Sequence, residues 1–133
     1  MDVTVSVVEP EVAVEELRSL LTWLSGEEEL RGRVRLVETA SEPGTLGGWP
    51  QAVAVELSRD GAVTILASAV IAWIRHRTSD MTLTITQPDG KSATLRAKRI
   101  RNAGPAEVGE LVERTVAALG EGPTEGGREK IPE

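Results

Sequence analysis

Val3, Val5 and Val7 alternate with Thr4 and Ser6. This period of two in β-branched residues predicts a first strand. Pro10 opens a helix whose first turns carry Glu11, Glu15 and Glu16, where the helix dipole favours anions. Leu17, Leu20, Leu21 and Leu24 follow at helical spacing, and Gly26 ends the element. Glu27-Glu28-Glu29-Leu30 reads as a short helical turn. Arg33 to Val37 predicts a second strand, with Val34 and Leu36 on one face and Arg33 and Arg35 on the other. Strand, helix, strand at this spacing predicts a parallel pair with a right-handed crossover.

Thr39 to Gly48 is rich in Ser, Pro and Gly and reads as a loop. Pro50 suits the first position of a helix, which is expected to run to about Leu57. Asp60 is the expected N-cap of the next helix. Ala62 to Arg77 is apolar nearly all round, so that helix should be buried on most sides. It ends in Arg75-His76-Arg77, cations where the helix carbonyls point.

Met81, Leu83 and Ile85 alternate with Thr82, Thr84 and Thr86. Ala93, Leu95 and Ala97 alternate with Thr94, Arg96 and Lys98. Pro88-Asp89-Gly90 between them is a turn signal, so the two runs predict an antiparallel hairpin. Pro105 opens a last helix with Val108, Leu111, Val112, Thr115 and Leu119 as its stripe, closed by Gly120.

The expected order is β-α-β-α-α-β-β-α. Every strand has one apolar face, and three principal helices can cover it. The fold class is therefore α/β (α+β), a two-layer sandwich with a mixed four-stranded sheet and helices on one face. The other sheet face would carry Thr4, Ser6, Arg33, Arg35, Thr82, Thr84, Thr86, Thr94, Arg96 and Lys98. Residues 1–119 form one expected domain. Residues 120–133, acidic and rich in Gly and Pro, carry one aliphatic side chain, Ile131, and are expected to be a disordered tail.

Composition narrows the chemistry. With no cysteine there are no disulfides, thiolate metal sites or cysteine nucleophiles. With one histidine, His76, no multi-histidine metal site forms within one chain. The aromatic residues are Trp23, Trp49 and Trp73, too few for a single-strand stacking platform. The start, Met1-Asp2-Val3-Thr4-Val5, lacks the basic and apolar regions of a signal peptide. The longest apolar stretch, Ala62 to Ile74, is short of the roughly 20 residues of a membrane span. A cytoplasmic protein without membrane contact is expected.

The net charge of -6 is unevenly spread. Residues 1–60 carry 12 acids against 5 bases, residues 61–101 carry 2 against 7, and residues 102–133 carry 7 against 3. A basic middle between acidic ends either marks a docking surface or cancels within the fold. Lys91, Arg96, Lys98, Arg99 and Arg101 form an uninterrupted basic run, but an acidic chain without stacking aromatics argues against nucleic acid.

No constellation for catalysis stands out. Glu42-Pro43-Gly44-Thr45-Leu46-Gly47-Gly48 precedes the expected Pro50 helix, but the lysine of a P-loop is missing, so it reads as a connector. No carboxylate pair is spaced as a general acid and base. Trp23 and Trp73 read as packing residues, His76 as a solvated helix cap and Glu27 to Glu29 as a solvated turn. No catalytic, cofactor or metal-binding residue is assigned. Two features fit protein docking: the polar sheet face, with Arg33, Arg35, Thr82, Thr84, Thr94, Arg96 and Lys98, and Trp49, a loop tryptophan held extended before Pro50. A solvated face and a core-edge plug are the competing readings of those two features.

The stretch from Leu17-Arg18-Ser19-Leu20 through Leu30-Arg31-Gly32-Arg33-Val34 resembles a small actinobacterial family, as does the Pro43-Gly44 loop. Gly61-Ala62-Val63 through Trp73-Ile74-Arg75, Asp80-Met81-Thr82-Leu83-Thr84 and Pro88-Asp89-Gly90-Lys91 resemble it most. The family is the effector-associated constant component of actinobacterial conflict systems, and the likeness spans roughly residues 2–119. The resemblance implies a non-enzymatic adaptor or regulatory component without cofactor, serving defence against phage or other invaders. Its implied partners are a trypsin-like or caspase-like peptidase effector and an accessory NTPase-type protein. The alternative is a small-molecule-sensing α/β domain acting as a homo-oligomer.

Overall fold

The computed structural model describes residues 1–38, 50–58 and 61–119. Five strands and four helices make two layers: β1 (Asp2–Val7), α1 (Pro10–Ser25), a 3-10 turn (Glu28–Leu30), β2 (Val34–Glu38), β3 (Pro50–Glu56), α2 (Ala62–Arg75), β4 (Thr82–Thr86), β5 (Ser92–Arg96), α3 (Ala97–Arg101) and α4 (Pro105–Ala118). The sheet order is β2-β3-β1-β4-β5. Every ladder is antiparallel.

The four-stranded mixed sheet is thus corrected to a five-stranded antiparallel one. The extra strand is β3, where a helix from Pro50 to Leu57 was expected. Pro50 fits the first residue of a strand as well as that of a helix. Ala52, Val53, Ala54 and Val55 are all buried, so β3 is apolar on both faces and shows no alternation. β1 and β2 do run in the same direction, but β3 lies between them, so they are not hydrogen-bonded neighbours. A second correction concerns Lys98. The alternation of β5 stops at Arg96, and Ala97–Arg101 turns into the short helix α3, with Ala97 and Ile100 buried at helical spacing. Lys98 is therefore exposed on a helix and not on the sheet. Arg33 lies just ahead of β2 rather than in it. At the start of α2 the N-cap is Gly61, at φ 83°, instead of Asp60. The expected tail, residues 120–133, lies outside the described residues.

The remaining elements follow the hydrophobic pattern. Val3, Val5, Val53, Val55, Leu83 and Ile85 line one face of the sheet and are fully buried. Leu17, Leu20 and Leu24 of α1 join them, as do nine of the 14 residues of α2. α2 touches α1, α3 and α4, which accounts for its all-round apolarity. In the β4–β5 hairpin Gly90 sits at φ 94°, a left-handed conformation that glycine adopts without a side-chain clash. Asp89 accepts the Lys91 N–H at 2.9 Å and closes the turn.

One buried charge is tied to the end of α2. The Glu16 carboxylate on α1 has no solvent exposure. Arg77 grips it twice, Nε to Oε1 at 2.8 Å and the guanidinium NH2 group to Oε2 at 2.7 Å. The hydrogen bonds that Arg77 donates to Glu16 hold the Arg77 pKa above its ordinary value, against the burial that lowers it. The guanidinium also lies 5.6 Å from the centre of the buried Trp73 ring. Removing one partner of such a pair strands the other charge without water, which costs about 3 kcal/mol. Arg77→Ala should therefore lower unfolding stability by about 3 kcal/mol in urea titration. The apolar double variant Glu16→Leu/Arg77→Met should regain most of that loss. Equal stability of Arg77→Ala and wild type would show that the pair contributes nothing.

Candidate functional site

Because the helices occupy one side of the sheet, the opposite face carries the alternate residues of each strand. Register places Thr84 beside Thr94, Thr82 beside Arg96 and Thr86 beside Ser92. Thr4 lies beside Thr86, and Ser6 beside Thr84. Thr94 and Arg96 are exposed and the β4 threonines half-buried. The structure therefore brings together Thr82, Thr84, Thr94 and Arg96 of the expected docking residues.

The others are elsewhere. Arg35 is on β2, four strands across from β5. At about 4.8 Å per strand that is about 19 Å across the sheet, in the row of Ser92, with Arg96 four residues further along β5. Arg35 and Arg33 also have local partners. Arg35 reaches Asp2 at 3.2 Å, and Arg33 donates to the Ser58 hydroxyl at 2.9 Å. Around them Asp2 faces Glu56 in the β1–β3 register. The hydrogen bond with the Glu56 carboxyl beside it raises the Asp2 pKa above its ordinary value. That end of the face is an acid–base cluster, whereas the β4–β5 end carries Arg96 and, at Thr82, the Glu9 carboxylate. Lys98 is on α3, and Trp49 lies outside the described residues.

Not every threonine is available. The Thr82 N–H donates to Glu9 Oε1 at 2.7 Å, and its hydroxyl donates to Oε2 at 2.9 Å. Glu9 thereby pins the entry to α1 onto the start of β4. Among the described residues Thr84, Thr94 and Arg96 make no side-chain hydrogen bond. The basic run divides in the same way. Arg101 donates to the Ser79 carbonyl at 2.7 Å and to Asp80 at 2.5 Å. Arg75 donates to the carbonyls of Ile100 and Ala103, at 3.0 and 2.9 Å, at the end of α3. Arg96, Lys98 and Arg99 are exposed and make no ion pair among the described residues.

The tryptophans also differ from one another. Trp73 is buried as expected and donates to the Ser19 hydroxyl at 3.1 Å. Trp23 is 39% exposed, with its indole N–H on the Ala69 carbonyl at 3.0 Å and its ring centre 5.5 Å from that of His76. His76 is the exposed C-cap of α2. Among the described residues no group of three or more His, Asp or Glu side chains could hold a metal ion, and no helix is long and apolar enough to cross a membrane.

Residues 9–116 match the family described as Effector Associated Constant Component 1. The chain belongs to this family. No curated protein and no solved structure matches it. The match runs from the entry of α1 into the last turn of α4 and includes every residue from Arg33 to Lys98 weighed above. Central strand β1 precedes it. Membership makes the protein a constant component associated with effectors in a conflict system, and supports the resemblance seen in the sequence.

The Glu9–Thr82 contact of this effector-associated component predicts a pH dependence. Burial pushes the Glu9 carboxyl up, but the bonds from Thr82 outweigh it and hold the pKa below its ordinary 4.5. A carboxylate lowered by folding stabilises above its unfolded pKa, and the effect is lost as pH falls through the folded value. The stability gap between wild type and Glu9→Gln should therefore be constant from pH 7 to about 5 and close below about 4.5. Urea midpoints measured across that range check it. A gap unchanged down to pH 3 would contradict it.

Proposed function

We propose that the protein is a non-enzymatic adaptor or regulatory component of an actinobacterial conflict system active against phage. It works in the cytoplasm and docks a peptidase-type effector or the effector's NTPase-type partner. Family membership supports the association with effectors. The observation that carries the docking reading is the hydrogen-bonding patch of Thr84, Thr94 and Arg96, whose side chains have no internal partner among the described residues. Hydroxyl-rich strands ending in an exposed arginine suit recognition of a polar protein surface, and arginine is a frequent interface anchor.

The test is capture from the native host with a tagged chain, read by mass spectrometry. Wild type should recover a peptidase or an NTPase-type protein. Arg96→Glu should recover it at least about tenfold less, as expected for loss of an anchoring arginine. Lys98→Glu, a reversal off the sheet, should keep it. Equal recovery by wild type and Arg96→Glu would remove the sheet face from the reading. Absence of any such protein, with and without phage challenge, would remove the adaptor reading itself.

A further inference from the structure

The edge of β5 is open. Among the described residues β5 pairs with β4 alone and ends the sheet. The ladder phase shows which backbone groups are free. Gln87 N–H donates to Lys91 O at one end of the hairpin, and Ala97 N–H donates to Met81 O at the other. In an antiparallel pair such bonded positions recur every two residues. Ala93 and Leu95 therefore turn their amides inward to β4. Ser92 and Thr94 turn their N–H and C=O groups outward, and Arg96 its N–H, where no strand follows among the described residues. Arg96 is the N-cap of α3, and its carbonyl is committed to that helix. An edge of this kind is a template for another strand unless it is blocked. No proline or bulge interrupts it.

Beside this edge runs a groove of about 600 Å³ between β5, α3 and α4. Its apolar lining includes Leu95, Ile100, Leu111 and Ala118. Its charged lining is Arg96, Arg99 and Arg114, one from each of the three elements, and among the described residues no acidic one lines it. None of the three makes an ion pair among the described residues. Glu107 and Glu110 lie beyond Arg99 and Arg114, in a smaller adjoining hollow. Glu107 is occupied with the Gly104 N–H at 3.0 Å.

We infer that this groove binds an extended acidic segment of a partner protein, which adds to β5 as a sixth strand. The outward N–H and C=O groups of Ser92 and Thr94, with the N–H of Arg96, supply the ladder. Apolar side chains of the segment face Leu111 and Ala118, and its carboxylates face the three arginines. Charge selects the occupant: a basic segment would meet like charge from all three elements. The inference deepens the adaptor reading by naming what the partner presents, but the groove can be tested without the partner.

The experiment uses the full chain and fluorescein-labelled peptides of alternating Glu and Val, with alternating Lys and Val as control. The acidic peptide should raise fluorescence anisotropy, the basic one should not, and added salt should weaken the binding. Arg99→Glu/Arg114→Glu should weaken it by about tenfold or more. Those two residues are off the sheet face, so the variant leaves the Thr84–Thr94–Arg96 patch intact. N-methylation of the peptide at alternate positions should abolish binding in at least one of its two phases, because one phase removes the N–H groups that meet β5. In NMR spectra the amides of Ser92, Thr94 and Arg96 should shift.

Equal binding of acidic and basic peptides, indifference to N-methylation in both phases, or shifts confined to Thr4, Ser6 and Thr84 would overturn the inference. So would dimers that dissociate on Thr94→Pro without binding peptide, which would give the edge to a second copy of the chain. Peptide binding without any captured effector protein would leave the groove standing and remove the adaptor reading. A captured effector protein unaffected by Arg99→Glu/Arg114→Glu would do the reverse.

Discussion

The structure depends on the burial of α2. A helix with nine of 14 residues buried cannot lie on a sheet as an ordinary amphipathic helix does, because its flanks would remain wet. α1 and α4 contact it, and they must share its side of the sheet to cover it. Each large apolar side chain so buried contributes about 1.5–3 kcal/mol. Ile71, Ile74, Leu66 and Trp73 alone make the arrangement stable against any alternative that exposes them. The helices are thereby committed to one layer. The outer sheet face and the β5 edge are what this commitment leaves uncovered by the described residues.

Much of this was legible because period and burial agree. The β1, β4 and β5 runs alternate cleanly, and their apolar halves are buried. The Pro10, Pro105 and Asp89-Gly90 signals mark the ends of elements where the chain changes direction. What was illegible is physically specific. β3 lies between two strands and is buried on both faces, so Ala52 to Val55 carry no period, and proline serves helix and strand starts alike. Without β3, the first two strands could only be paired with each other. At Ala97 the period changes from two to helical within one apolar residue, and the spacing of Ala97 to Ile100 was the one signal available.

The candidate site was legible in composition but not in arrangement. A list of polar strand residues assumes one continuous face, and strand order decides whether they meet. Inserting β3 and putting β1 at the centre moved Arg35 to the far edge from Arg96. Side-chain partners then divided the residues further. Thr82 holds Glu9, Arg35 holds Asp2, and Arg101 holds the segment before β4. Arg114 was missed as a site residue because it sits in an acidic helix, and only the packing of α4 beside β5 brings it to the basic run. The charge asymmetry between the middle and the ends of the chain is thus partly cancelled and partly concentrated.

Exposed ion pairs are weak, each about 0–1 kcal/mol, so three arginines cannot by themselves hold a flexible partner. Edge hydrogen bonds have the complementary weakness: they accept any extended chain and discriminate none. Together they divide the task. The ladder at Ser92, Thr94 and Arg96 provides sequence-independent attachment, and the arginines reject basic and favour acidic segments. An effector-associated component that docks its partner in the proposed way gains from this division. A backbone-read edge tolerates changes in the partner's side chains, and a charge rule at the rim keeps that tolerance from becoming indiscriminate pairing with every exposed strand.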